Sequence, residues 1–125
     1  MATASAPPSP LQILCLEDNP LIVFHLEHMI EDLGHVFSGA TESFAQLRSL
    51  TRIDVDVALV DIDLADGRTG PAAAQWLRDQ GIPAIFVTAQ KDVAALHADV
   101  VVATLIKPIS VDDLQRSLDL VLAGR

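Results

Sequence analysis

The chain has 125 residues, half of them hydrophobic, which suits one domain with its own core and leaves little room for a second. Its formal net charge of −9 argues against a surface for DNA or RNA, whose phosphates demand clustered Lys and Arg, and disfavours docking on an anionic membrane. A single cysteine, Cys15, rules out an intramolecular disulfide; inside the apolar run Ile13-Leu14-Cys15-Leu16 it reads as a small core hydrophobe in a reducing compartment.

Residues 1–10, rich in Ala, Ser and Pro, lack the charged start and apolar stretch of a signal peptide, and they read as a disordered tail ahead of one domain over 11–125. No apolar run is long enough for a membrane span, so a cytoplasmic protein with neither nucleic acid nor membrane as partner is expected. Short apolar segments then alternate with helical patterns. Gln12–Leu16 is the first predicted strand, followed by a helix over Pro20–Leu33 with Ile22, Leu26, Met29 and Leu33 inward and Gly34 as its stop. Val36–Gly39 is the second strand, and Thr41–Leu50 a second helix with Phe44 and Leu47 inward. Val55–Val60 forms the third strand; Pro71–Gln80, opened by proline and closed by Gly81, the third helix. Ala84–Val87 is the fourth strand, and Lys91–Asp99 holds at most a short helix. Thr104–Ile106 is the fifth strand. A last helix, Ser110–Ala123, opens on a capping-box variant (Ser110, Asp113) and turns Leu114, Leu118 and Val121 inward. Leu120 and Leu122 fall outside that stripe, an apolar surface on which a homodimer could form.

Strands alternating with helices predict an α/β sandwich around a doubly wound, five-stranded parallel sheet. The continuous apolar character of the first, third and fourth strands suggests burial on both faces. In such sheets the carboxyl ends of the strands share one ligand-binding edge. Glu17 and Asp18 follow the first strand, Asp61 the third, Thr88 the fourth and Lys107 the fifth, so three carboxylates, a hydroxyl and an ammonium converge. Clustered carboxylates repel and call for a cation. Mg²⁺ suits a site of few carboxylates completed by water and phosphate oxygens. One carboxylate could then attack a phosphoryl group, with Lys107 and Thr88 serving its oxygens.

Glu17-Asp18, Asp61 after Val-Ala-Leu-Val, Thr88-Ala89 and Lys107-Pro108 together resemble the signature of the response regulator receiver (CheY-like) domain, from about Leu11 to the C-terminus. The resemblance implies the flavodoxin-like strand order 2-1-3-4-5 and Asp61 as phosphoacceptor. It implies Mg²⁺ held by Glu17, Asp18, Asp61 and the Asp63 carbonyl, with Thr88 and Lys107 on the phosphate and Ala89 beside them. It also implies a cis Lys107-Pro108 bond. The donor would be a sensor histidine kinase or a histidine phosphotransfer protein. With no output domain following the last helix, the chain is expected to signal through protein contacts or to act as a phosphate sink. Its only catalysis would be of its own phosphorylation and dephosphorylation.

The pattern departs from most receivers at Thr104, where an aromatic usually reports phosphorylation, and at Asp63-Leu64-Ala65, which replaces Met-x-Pro. The interval from Thr88 to Lys107 is also short. Phe86-Val87-Thr88-Ala89 is similar, imperfectly, to the strand motif of atypical alphaproteobacterial single-domain receivers of the FATGUY type.

Other readings bear on the same residues. Asp61-Ile62-Asp63 could be the nucleophile pair of a haloacid-dehalogenase-like phosphatase, although that motif follows a first strand. A receiver fold could also bind partners without being phosphorylated. An EF-hand loop from Asp61 fails, since Asp66 stands where the turn glycine belongs and Ala72 where the bidentate Glu belongs. Taken singly, Glu17 and Asp18 would serve as a helix N-cap pair, Lys107 as a solvated charge and Thr88 as a strand-end hydroxyl. His25 and His28 sit one turn apart but lack further ligands, and Trp76 reads as packing.

Overall fold

The computed structural model describes residues 10–125, so the tail expected over residues 1–10 lies, but for Pro10, outside the described residues. Among the described residues, ten main elements follow in order: β1 (Gln12–Leu16), α1 (Pro20–Asp32), β2 (Val36–Thr41), α2 (Phe44–Arg48), β3 (Val57–Val60), α3 (Gly70–Asp79), β4 (Ala84–Thr88), α4 (Lys91–Leu96), β5 (Ala103–Ile106) and α5 (Val111–Ala123). A 3₁₀ turn, Ala98–Val100, joins α4 to β5. All neighbouring strands pair in parallel, in the order β2-β1-β3-β4-β5, which is the flavodoxin-like arrangement.

The central strands are apolar throughout because both their faces are covered. Alternation sends Ile13 and Cys15 of β1, Val57 and Leu59 of β3, and Ile85 and Val87 of β4 into one core with Leu26 and Ile30 of α1 and Leu114, Leu118 and Val121 of α5. Leu14, Leu16, Ala58, Val60, Ala84 and Phe86 point the other way, onto Leu47 of α2, Ala73, Ala74 and Leu77 of α3, and Ala94 of α4. The edge strands β2 and β5 alternate between covered and exposed residues. Ile30 joins the buried stripe of α1, while Ile22, Met29 and Leu33 are only partly covered. Leu122 of α5 also packs partly on this core, so of the two off-stripe leucines only Leu120 stands clear.

Several boundaries differ from the expected ones. The helix expected over Thr41–Leu50 shrinks to the five residues of α2, because β-branched Thr41 continues β2 in register with Leu16. Ser43 then stays extended as N-cap, its hydroxyl accepting from the Gln46 amide at 3.0 Å. The third strand starts at Val57 instead of Val55; Asp56 precedes it and uses a carboxylate oxygen to accept from the Gln12 amide at 2.7 Å. The fourth strand runs on through Thr88. Lys91–Asp99 folds as a short helix and the start of the 3₁₀ turn, anchored by buried Ala94 and, just beyond, Val100. The capping box of α5 is half formed: Ser110 accepts from the Asp113 amide, but the Asp113 carboxylate turns to Arg116.

Candidate phosphoacceptor site

The strand register brings the chemistry together. Leu16 pairs with Val60, and Thr88 with Ile106, so the residues at these strand ends meet at one edge. The backbone continues the ladder past those ends: Asp61 N donates to Leu16 O at 3.0 Å, Lys107 N to Thr88 O at 2.9 Å and Glu17 N to Thr41 O at 3.0 Å.

Lys107 Nζ reaches across the sheet and donates to Glu17 Oε1 at 2.7 Å and to Asp61 Oδ2 at 2.8 Å. Asp61 Oδ1 accepts from the Ile62 amide at 2.7 Å, and Glu17 Oε2 from the Asn19 amide at 3.1 Å. Glu17 is 4% and Asp61 8% exposed, whereas Asp18 stands open to solvent. Burial lifts the Glu17 carboxyl above its usual range; its bonds to Lys107 and Asn19 work against that lift, and the Asp61 charge adds to it. For Lys107 burial is the largest influence and disfavours the charge, but the bonds and charges of Asp61 and Glu17 together outweigh it and raise the ammonium pKa. One oxygen from each of Glu17, Asp18 and Asp61 lies within 4.8 Å of the other two. Three carboxylates facing one ammonium leave a negative, oxygen-only donor set, which fits a hard divalent ion such as Mg²⁺.

Thr88 is fully buried at the end of β4, and its hydroxyl accepts from the Gln90 amide at 3.0 Å while keeping its own proton for donation. Ala89 follows it, exposed at the rim. The Asp63 carboxylate lies outside the three-acid cluster and pairs with Arg68 Nε at 2.9 Å. Lys107-Pro108 is cis, as expected. Thr104 is exposed on β5.

The solitary readings of these residues do not describe them. Asn19, not Glu17 or Asp18, caps α1, its side chain accepting from the Leu21 amide at 3.0 Å. Lys107 is a bridging ammonium with its side chain 19% exposed. His25 and His28 are exposed and join no metal-ligand cluster among the described residues. Trp76 packs edge-on against Phe44 at 6.2 Å between ring centroids.

Two residues that frame Asp61 escaped sequence reasoning. A Cβ at Gly70 would stand 2.0 Å from the Asp61 backbone oxygen, so α3 begins in close contact with the strand end. Asp66 accepts from the Phe44 and Ala45 amides at 3.2 and 3.1 Å and from the Thr69 hydroxyl at 2.6 Å, binding the loop after Asp61 to the start of α2. These contacts draw its carboxyl below the usual range, the Thr69 bond most of all. The run Asp66-Gly67-Arg68-Thr69-Gly70 carried the signal, a turn with an acid three residues before a threonine.

The response regulator receiver domain model matches residues 13–119. The phyllosphere-induced regulator PhyR of Methylorubrum extorquens is 36% identical over 81 residues, which cover 62% of this chain and 30% of that protein. The chain thus spans less than a third of that relative's length. Among solved structures, the receiver domain of Erythrobacter litoralis PhyR is similar with a TM-score of 0.82 and 26% identity, covering 94% of this chain and 93% of that one. The signal receiver domain of a modulated diguanylate cyclase from Desulfovibrio desulfuricans G20 gives a TM-score of 0.83 and 28% identity, over 93% and 96% of the two chains.

Proposed function

The chain belongs to the response regulator receiver domain family, and from that premise we propose that it is a phosphoacceptor of two-component signalling, modified on Asp61. The observation that carries the reading is Lys107 bridging Glu17 and Asp61 at 2.7 and 2.8 Å beside a third carboxylate, Asp18.

In this reading the donor is a phosphohistidine on a sensor histidine kinase or a histidine phosphotransfer protein. An Asp61 carboxylate oxygen attacks phosphorus, the phosphorus–nitrogen bond breaks, and the imidazole leaves. Glu17, Asp18 and Asp61, with the Asp63 carbonyl, would hold Mg²⁺. When bound, that ion relieves the repulsion among the acids and offsets the charge of the phosphoryl oxygens. The Ile62 amide orients Asp61 through Oδ1. Lys107 already donates to the nucleophile and can follow its negative charge onto the phosphoryl group. Thr88, at the end of β4, has a hydroxyl proton to offer a phosphoryl oxygen, with Ala89 beside it. The domain is a signalling module and not a classical enzyme; the chemistry it promotes is its own modification and its reversal. Downstream it acts through protein contacts or as a phosphate sink.

The test is incubation with a small-molecule phosphodonor and Mg²⁺, followed by intact-mass measurement. The wild type should gain one phosphoryl group and Asp61→Asn none, because an amide is a far weaker nucleophile. Modification of the variant to wild-type extent would remove Asp61 from the role. An unmodified wild type would favour a phosphorylation-independent binding module.

A further inference from the structure

We propose that Arg68 sets the charge of the phosphoacceptor site by holding the Asp63 carboxylate in an ion pair, an inference that rests on reading the site as a divalent-cation and phosphoryl site. Asp63 is two residues beyond Asp61, so their Cα atoms are at most about 7 Å apart. Their side chains add reach, so the Asp63 charge stands within about one to two Debye lengths of the acids, the Debye length being about 8 Å at physiological salt. An unpaired Asp63 would therefore act as a fourth negative charge on a site that already gathers three acids.

The pair contributes little to holding its loop together. Arg68 Nε donates to Asp63 Oδ1 at 2.9 Å, with the two side chains 55% and 44% exposed. Exposed pairs of this kind contribute little to stability. The loop that carries them is fixed without it. Leu64 and Gly67 exchange hydrogen bonds at 2.8 and 3.0 Å, Ala65 N donates to Glu42 O at 2.8 Å, and Gly70 N to Ile62 O at 3.0 Å. Asp66 adds its two bonds to the α2 amides. Arg68 is presented by a hydrogen-bonded frame, with Gly67 supplying the turn at φ +108°.

The consequence is a balance. A fourth free carboxylate would hold Mg²⁺ more tightly but would repel an incoming anionic phosphoryl group. Arg68 cancels that charge while leaving the Asp63 carbonyl untouched. It is a positioning residue, acting through Asp63.

Titrating Mg²⁺ alone, with thermal midpoints as the readout, tests this in wild type, Arg68→Ala, Asp63→Asn and the double variant. Arg68→Ala should bind Mg²⁺ about 3- to 10-fold more tightly, from one uncancelled charge at this range. Asp63→Asn, which keeps the carbonyl but leaves Arg68 unopposed, should bind more weakly by a similar factor. The double variant should return to within about twofold of wild type, and 0.5 M NaCl should shrink all the differences. A purely structural pair would instead give both single variants lower apo midpoints and weaker binding, which overturns the proposal. Equal affinities in all four proteins overturn it as well. A wild type without any Mg²⁺ response sinks the underlying site reading and this inference together, whereas normal wild-type binding with indifferent variants sinks only the role of Arg68.

Discussion

At Gly70 the first turn of α3 touches the strand end that carries Asp61, and an added Cβ would lie 2.6 Å from the Ile62 Cα as well as 2.0 Å from the Asp61 oxygen. Both neighbours are backbone, which cannot rotate aside. Gly70→Ala should cost on the order of 3 kcal/mol, at the upper end of overpacking penalties. It should also slow phosphodonor labelling of whatever remains folded, since the carboxylate moves with its backbone. Chemical denaturation and labelling rates check both; wild-type values would mean that α3 shifts freely. His35 offers a pH-dependent counterpart on the opposite edge of the sheet. It is 5% exposed, and its Nδ1 accepts from the Leu11 amide at 2.9 Å, which requires a neutral ring. Burial holds its pKa below the usual histidine value, against the smaller pull of Asp119 on α5. A lowered histidine pKa gives stability that is complete above the unfolded value, near pH 6.5, and is lost as pH falls through it toward the folded value. Melting midpoints should therefore drop between pH 7 and pH 5 in the wild type and drop less in His35→Asn, whose side-chain oxygen accepts without titrating. His35→Ala, leaving a buried amide unpaired, should cost about 1–3 kcal/mol at either pH.

Among the elements, α4 is the least supported. It has six residues, no side-chain cap at Gln90 and one buried residue, Ala94, before the chain tightens into a 3₁₀ turn. Helices this short are marginal without packing. Thr104 on β5 has no ring to report phosphorylation, and α4 begins three residues after Thr88. A change at Thr88 therefore has a direct route into it. Amides of Lys91–Asp99 should exchange quickly in the resting protein and gain protection with Mg²⁺ and a phosphoryl mimic. Strong protection at rest, unchanged on activation, would exclude α4 as the switch. The same segment marks where sequence reasoning thinned. β1, β3 and β4 were legible because burial on both faces leaves an unbroken apolar run, and the acids were legible because each sits at a strand end. α2 was overextended because Phe44 and Leu47 set a helical stripe that runs back to Thr41 without a break, whereas strand pairing with Leu16 decides the fate of Thr41. The run from Asp66 to Gly70 marks a turn, but Gly70 and Asp66 act through contacts with residues 9 and 21 positions away, which that local pattern does not name.

Across the whole molecule, one lysine bridges two of three clustered acids in a chain of net charge −9. Glu17 shows the strain: its pKa lies above the usual range, so its ionised form is disfavoured in the fold. Its contribution to stability is therefore present below the ordinary carboxyl value and lost as pH rises through the raised one, leaving a net cost at neutral pH. Burial is the larger cause of that cost, and removing the Asp61 charge should relieve only the smaller part that Asp61 adds. In Asp61→Asn the amide oxygen can still accept from either Ile62 N or Lys107 Nζ, and Lys107 keeps Glu17 at 2.7 Å, so few bonds are lost along with the charge. The gain should be about 1 kcal/mol, or roughly 4 °C in a domain of this size. Mg²⁺ acts in the opposite order. On the proposed site it would bind the folded acids and not the unfolded chain, so it should raise the wild-type midpoint as its concentration increases, and raise that of Asp61→Asn much less. Melts of both proteins with and without Mg²⁺ should converge, the variant being more stable without metal and the wild type closing the gap or overtaking it at saturation. A variant that is less stable than wild type without metal would show that the Lys107–Asp61 bond outweighs the repulsion among the acids. In that case the lysine, and not the cation, would be what makes the site tolerable.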